Sequence, residues 1–116
     1  MKTEVYKKGH VLFRESDDSN EMYYIDSGSV AILCKNANGE TVPVSILKKG
    51  SFLGEFAFFD NTSRSATAMV LEDTRVKIIN RSTINSVGKN GVFIIQALIK
   101  KLKNMNDLLM REDEAA

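Results

Sequence analysis

Glycine spacing constrains this chain more than any other feature of its first half. Gly9, Gly28, Gly39 and Gly50 punctuate it, and the last two intervals are eleven residues each. That is the rhythm of short strands and turns in an all-β sandwich or barrel. Met22-Tyr23-Tyr24-Ile25 is aromatic and runs into the turn Asp26-Ser27-Gly28. Val30 to Cys34 is a continuous apolar run, as expected of a strand buried on at least one face. Asn38-Gly39 follows, the strongest short-range hairpin signal. Val42, Val44 and Ile46 then alternate with Thr41, Pro43 and Ser45, which is period two. Pro43 has no N–H to give to a ladder, so its strand is expected at an edge or at a bulge. Thr67 to Leu71 and Arg75 to Ile79 read as two more strands, joined through Glu72-Asp73.

From Ser82 onward the pattern changes. Ser82-Thr83-Ile84-Asn85 suits the opening of a short helix, and Gly88 to Gly91 reads as a break. Ile95, Leu98, Leu102, Met105 and Leu109 then recur at alternating three and four residues, an a/d stripe. The stripe runs for only about two heptads, short of an independent coiled coil. It fits a helix lying on the β core, and a sharper reading adds a homodimer through the same face. Arg111 to Ala116 is a charged tail. The expected organisation is one domain over residues 1–116, with a β-roll over about 5–80 and a C-terminal helical part over about 82–111.

Composition removes several classes of function. The 116 residues make one domain, and 16 Lys and Arg against 15 Asp and Glu leave a net charge of +1. No global field therefore points to nucleic acid or to a membrane surface. A single cysteine, Cys34, excludes an internal disulfide framework, and reads as a small buried hydrophobe. A single histidine, His10, excludes multi-histidine metal sites and reads as a surface residue beside a turn glycine. No apolar run approaches the roughly 18 residues of a membrane span. A soluble, cytoplasmic protein is expected.

One stretch departs from the strand rhythm: Gly50 to Thr67, containing Phe52-Leu53-Gly54-Glu55-Phe56-Ala57 and, nine residues after the Glu, Arg64-Ser65-Ala66-Thr67. Gly54 permits close approach of the backbone to a ligand. Glu55 to Phe59 is long enough for one helical turn, whose first N–H groups are unpaired. Asp60 to Ser63 is a polar turn that returns the chain to Arg64, a planar fork suited to a pair of phosphate oxygens. Ser65 adds a hydroxyl beside it. Glu55 accepts only, when ionised, and suits a sugar hydroxyl. Together they match a nucleotide with a single phosphate charge. The bland readings are a structural salt bridge for Glu55 and Arg64, a strand hydroxyl for Ser65, and core or lid packing for Phe56, Phe58 and Phe59. Lys100, Lys101 and Lys103 read as a solvated helix face.

This run resembles the phosphate-binding cassette of cyclic-nucleotide-binding domains, and is most similar to that of bacterial catabolite activator proteins. Lys8-Gly9-His10-Val11-Leu12-Phe13 resembles the family's first glycine-marked strand, and Tyr23 to Val30 its strand-turn-strand before the hairpin. Lys100 to Asn106 resembles the start of its long C-terminal helix, so the likeness covers roughly Tyr6 to Asp107. The resemblance implies a mainly β, jelly-roll-like roll of about eight short strands with short flanking helices and a C-terminal α-helix. It implies that Gly54 offers a backbone N–H, Glu55 accepts from the ribose 2′-hydroxyl, and Arg64 and Ser65 meet the cyclic phosphate. Phe56, Ala57 and Ala66 complete the ligand-binding segment. Val44 and Ser45 fall at pocket-wall positions, and Met105 and Asn106 at positions that contact the base. Met105 departs from the hydroxyl residues that activators often carry there.

Two further departures concern extent. Only five residues precede Tyr6, so the family's N-terminal helical segment is nearly absent, and no DNA-reading helix-turn-helix follows the long helix. The expected function is thus a non-catalytic sensor module that binds cAMP, or cGMP, as ligand. It uses no cofactor or metal, makes no DNA contact of its own, and acts on an effector domain or partner protein outside this sequence. Binding is expected to couple to the position of the C-terminal helix. The rivals are a degenerate sensor of the same fold that takes cGMP or a cyclic dinucleotide, and a small cupin-like enzyme, which would need several histidine ligands.

Overall fold

The computed structural model describes residues 2–86 together with Gly88 and Gln96. The chain divides into two units, Met1–Arg81 and Ser82–Ala116. The first unit holds eight strands: β1 (Lys2–Tyr6), β2 (Val11–Phe13), β3 (Glu21–Ser27), β4 (Ser29–Lys35), β5 (Thr41–Lys48), β6 (Phe52–Leu53), β7 (Thr67–Val70) and β8 (Thr74–Asn80). One helix, α1 (Glu55–Asp60), interrupts them. They form two four-stranded antiparallel sheets, ordered β1-β8-β3-β6 and β2-β7-β4-β5. The architecture is mainly β, as the glycine rhythm predicts, and its eight strands match the jelly-roll-like roll that the resemblance implies.

Both sheets turn one face inward, as antiparallel alternation requires. Tyr23, Ile25, Val76 and Ile78 from the first sheet meet Phe13, Val30, Ala68 and Val70 from the second, with Leu53 among them. Tyr6, Leu12, Ile32 and Leu47 pack around this cluster. The five strands read from the pattern are present, as is the glycine-marked strand that the resemblance implies (β2), and β1 and β6 are additional. Cys34, expected to be buried, is only half-buried, because it stands near the end of β4 where Lys35 and the hairpin are already exposed. His10 is exposed, and its ring stacks on Tyr6 at 4.4 Å between centroids.

β5 is an edge strand, and the register of β4 on β5 also slips beside Pro43. Ile32 faces Ser45 and Leu33 faces Pro43, so Val44 is the unpaired residue of a bulge. One extra residue reverses the parity of everything after it. Leu47 therefore lies opposite Val30 and packs on the core, while Val44 and Ile46 are 54% and 57% exposed. The apolar alternation marks the strand correctly, but the bulge decides which residues turn inward.

In the second unit, residues 82–86 are helical, and the Ser86 hydroxyl donates to the Thr83 carbonyl at 2.6 Å. Gly88 has φ 72°, at the first residue of the expected break. The stripe Ile95 to Leu109 lies outside the described residues. Among the described residues, no helix is long and apolar enough to cross a membrane.

Candidate functional site

The segment from Phe52 to Thr67 folds as a short strand, the helix α1, a return loop and the start of β7. Gly54 is the residue before α1 and sits at φ 70°, a left-handed conformation that disfavours side chains. Asn61 ends the helix, also left-handed at φ 57°, and its N–H bonds to the Ala57 carbonyl. Asparagine tolerates this conformation better than other non-glycine residues. The helix thus has a conformational stop at each end, which explains its six-residue length.

Arg64 carries the geometry. It is 4% exposed, and its guanidinium lies 4.3 Å from the centroid of the Phe13 ring. Nη1 donates to the Gly54 carbonyl at 2.7 Å, and Nη2 donates to the Glu21 carbonyl. The backbone is pinned as well: Arg64 N donates to Asp17 O at 2.9 Å, and Ser16 N to Arg64 O at 2.8 Å. Nε is buried with no hydrogen-bond partner. A Cβ at Gly54 would overlap this guanidinium, so the glycine is required by the arginine as well as by the turn. Burial draws Arg64 below its ordinary pKa, while Tyr23, Glu21, Asp17 and Glu55 pull it back up. It remains a cation, as arginine does in proteins.

Beside Arg64 lies a cleft of about 170 Å³. It brings together Gly54, Glu55, Phe56, Ala57, Arg64, Ser65 and Ala66, all seven cassette residues singled out in the sequence. Glu55 is half-buried, Phe56 is 44% exposed, and Ser65 is exposed. Phe58, by contrast, is fully buried and packs edge-on against Phe59, so the aromatic residues divide between cleft and core.

Val44 and Ser45, expected as pocket walls, are not among the lining residues. The bulge accounts for Val44. Val44 is the looped-out residue, and Ser45, opposite Ile32, stands exposed on the inward-facing side. Ile32 and Leu47 line the cleft instead, with Phe13, Phe52 and Leu53. None of these five was singled out as a site residue. The nearest signal was the position of Phe13 at the end of the glycine-marked strand. Met105 and Asn106 lie outside the described residues.

A family model for the cyclic nucleotide-binding domain matches residues 3–90. This chain belongs to that family. It is 29% identical over 106 residues to the cAMP-dependent protein kinase regulatory subunit of Dictyostelium discoideum, covering 90% of this chain and 30% of that protein. It is also 29% identical to the anaerobic regulatory protein of Bacillus subtilis, covering 95% of this chain and 50% of that one. The cAMP-bound form of the EAL enzyme Bd1971 superposes with a TM-score of 0.67 at 29% identity, covering 97% of this chain and 32% of the enzyme. The cGMP-bound form of the same enzyme gives 0.67 at 29% identity, covering 91% of this chain and 29% of that one. The chain thus spans half the length, or less, of these relatives. Its family is one of regulatory domains, and a cupin-like reading has no support beside it.

Proposed function

We propose that this chain binds a cyclic nucleotide, cAMP in preference to cGMP, in the cleft beside α1, and acts as a regulatory module rather than as a catalyst. The observation that carries the reading is Arg64: a buried cation bordering an open cleft, fixed by two main-chain carbonyls and an aromatic platform, with its Nε left without a partner. A group held this firmly loses little conformational freedom when an anion arrives. Arg64 and Ser65 take the cyclic phosphate, with a backbone N–H from the Gly54 turn. Glu55, on the same cleft, takes the ribose hydroxyl. Phe56, Ala57 and Ala66 supply contact area, Ile32 and Leu47 form the apolar side, and Ser45 remains a candidate pocket-wall residue. Val44 has no place in this reading, and Met105 and Asn106 remain candidates for the base.

The relatives' names favour this ligand class, since they include a cAMP-dependent kinase regulatory subunit and an enzyme solved with either cAMP or cGMP. In that reading the chain is one sensor domain. It serves in the cytoplasm, and its output lies with an effector domain or a partner protein. Calorimetric titration with cAMP, cGMP and cyclic di-GMP side by side tests it. Saturable binding of cAMP is expected, with cGMP weaker by about tenfold, or ~1.4 kcal/mol. Equal affinities would remove the preference for cAMP, and no binding of any of the three would overturn the assignment.

A further inference from the structure

A second cavity, of about 330 Å³ against about 170 Å³ for the cleft, shares no lining residue with it. Its lining is largely polar. Arg14 and Glu15 come from the turn after β2, and Cys34 and Lys35 from the end of β4. Thr41 comes from the start of β5, and Thr67 from the start of β7. The turn is fixed from several sides. Arg14 N donates to Asp17 Oδ2 at 2.9 Å, and Asp17 N to the Arg14 carbonyl at 3.0 Å. Glu15 N donates to Thr67 Oγ1 at 3.0 Å, which ties the turn to β7. Lys35 and Thr41 stand opposite each other in the β4–β5 ladder. The backbone carrying these side chains is therefore set in advance, which lowers the cost of receiving a ligand.

The fold leaves the charges of this cavity unspent. Among the described residues, neither the Arg14 guanidinium nor the Lys35 ammonium makes an ion pair. Two cations, two threonine hydroxyls and one carboxylate around one space select a ligand by charge. A cyclic phosphate is a diester with a single negative charge, which one cation balances. A phosphate monoester carries about −1.5 to −2 at neutral pH, and suits a guanidinium and an ammonium together. Glu15, when ionised, only accepts, so it favours hydroxyl groups on the rest of the ligand and repels a second acid. We propose that this cavity is a second ligand site, for a small phosphate monoester that also carries hydroxyl groups, of the sugar-phosphate class. It does not depend on the cyclic-nucleotide reading of the cleft.

Cys34 is the only cysteine of the chain and lines the cavity, so its alkylation by iodoacetamide reports on occupancy. The probe is ribose 5-phosphate, added to the full 116-residue chain. At ten times its Kd it should slow alkylation by about tenfold. Ribose, which lacks the phosphate, and dimethyl phosphate, a singly charged diester, should leave the rate within about twofold at the same concentration. Arg14→Gln and Lys35→Gln each remove one exposed charge, and each should weaken protection by about fivefold, measured against the same variant without ligand. Both should bind cAMP in calorimetry within about twofold of wild type, because neither lines the cleft. Near-ultraviolet circular dichroism checks folding, and either variant suffices if the other is not folded. Alkylation that ribose 5-phosphate does not slow overturns the site. Equal protection by ribose or dimethyl phosphate overturns its ligand class. Protection unchanged in the folded variants overturns the proposal as well, since the ligand would then sit elsewhere. Loss of cAMP binding in those variants also overturns it, by making the cavity part of the cleft's own site. A wild type that binds no cyclic nucleotide while the protection holds overturns only the reading of the cleft.

Discussion

Two turns in this molecule are built alike and end differently. At each, a glycine with positive φ leaves room for a buried polar side chain that an added Cβ would strike: Gly28 against Thr74, and Gly54 against Arg64. At the first, the Thr74 hydroxyl accepts from Ser29 N at 3.1 Å and donates to the Glu72 carbonyl at 2.8 Å. Its donor and an acceptor site are both used, and the site is shut. At the second, Arg64 is anchored through both terminal nitrogens, yet its Nε has no partner and the side chain borders a cleft. An unpaired buried donor on a charged group is costly. The first turn is a structural lock. The second leaves a whole nitrogen, Nε, without a partner, and we take that as the mark of the binding site.

Gly28→Ala should break the comparison with the largest effect. The added Cβ would meet the Thr74 side chain, the Thr74 backbone and the Asp73 carbonyl, and φ is 95°. Left-handed strain together with overpacking predicts a loss of about 3–4 kcal/mol of stability in chemical denaturation. The protein that remains folded should bind nucleotide normally. Arg64→Ala should do the reverse, costing about 2–3 kcal/mol in cAMP affinity, or roughly 30- to 100-fold. The fold should survive, with a smaller loss from the two carbonyls left without their donor. Unchanged affinity in folded Arg64→Ala protein would sink the site assignment.

Much of this was legible in the sequence, for reasons that also explain the misses. β3, β4, β7 and β8 announce themselves because their apolar residues face one buried side and their turns need glycine or Asp-rich corners. β1 does not, since Lys2–Tyr6 is an edge strand whose only aliphatic residue, Val5, is 55% exposed. β6 has two residues, too few for any period. The cassette was readable because its residue types are unusual for a strand. Phe13, the platform under Arg64, was not, because spacing along one strand does not tell which distant loop it will meet. That Val44 and Ser45 fall outside the residues lining the cleft was not readable for a related reason: the bulge that shifts the strand's parity arises from pairing with β4, and Pro43 only hints at it.

The smallest expected effect concerns Tyr23, which packs against Phe13 at 6.0 Å between ring centroids and so lies under the same platform. Burial, then the nearby Glu21 charge, raises its phenol above the usual 10.0, while Arg64 works in the opposite direction. The unfolded chain releases this proton near pH 10 and the folded protein only at higher pH. Stability should therefore be fully present below pH 10 and fall as pH rises beyond it. Tyr23→Phe should flatten that alkaline decline in melting temperature. An unchanged slope would place the decline elsewhere, with Tyr6, also raised by burial, as the next residue to replace.

The claim that the unpartnered Arg64 Nε–H meets the ligand's phosphate is tested most directly by nitrogen-15 NMR of the arginine side chains. The Arg64 signal is assigned by its disappearance in Arg64→Lys. On titration with cAMP it should move and saturate together with binding, and adenosine, which lacks the phosphate, should leave it in place at the same concentration. Saturation of the protein by cAMP with the Arg64 Nε–H signal unmoved would contradict the account.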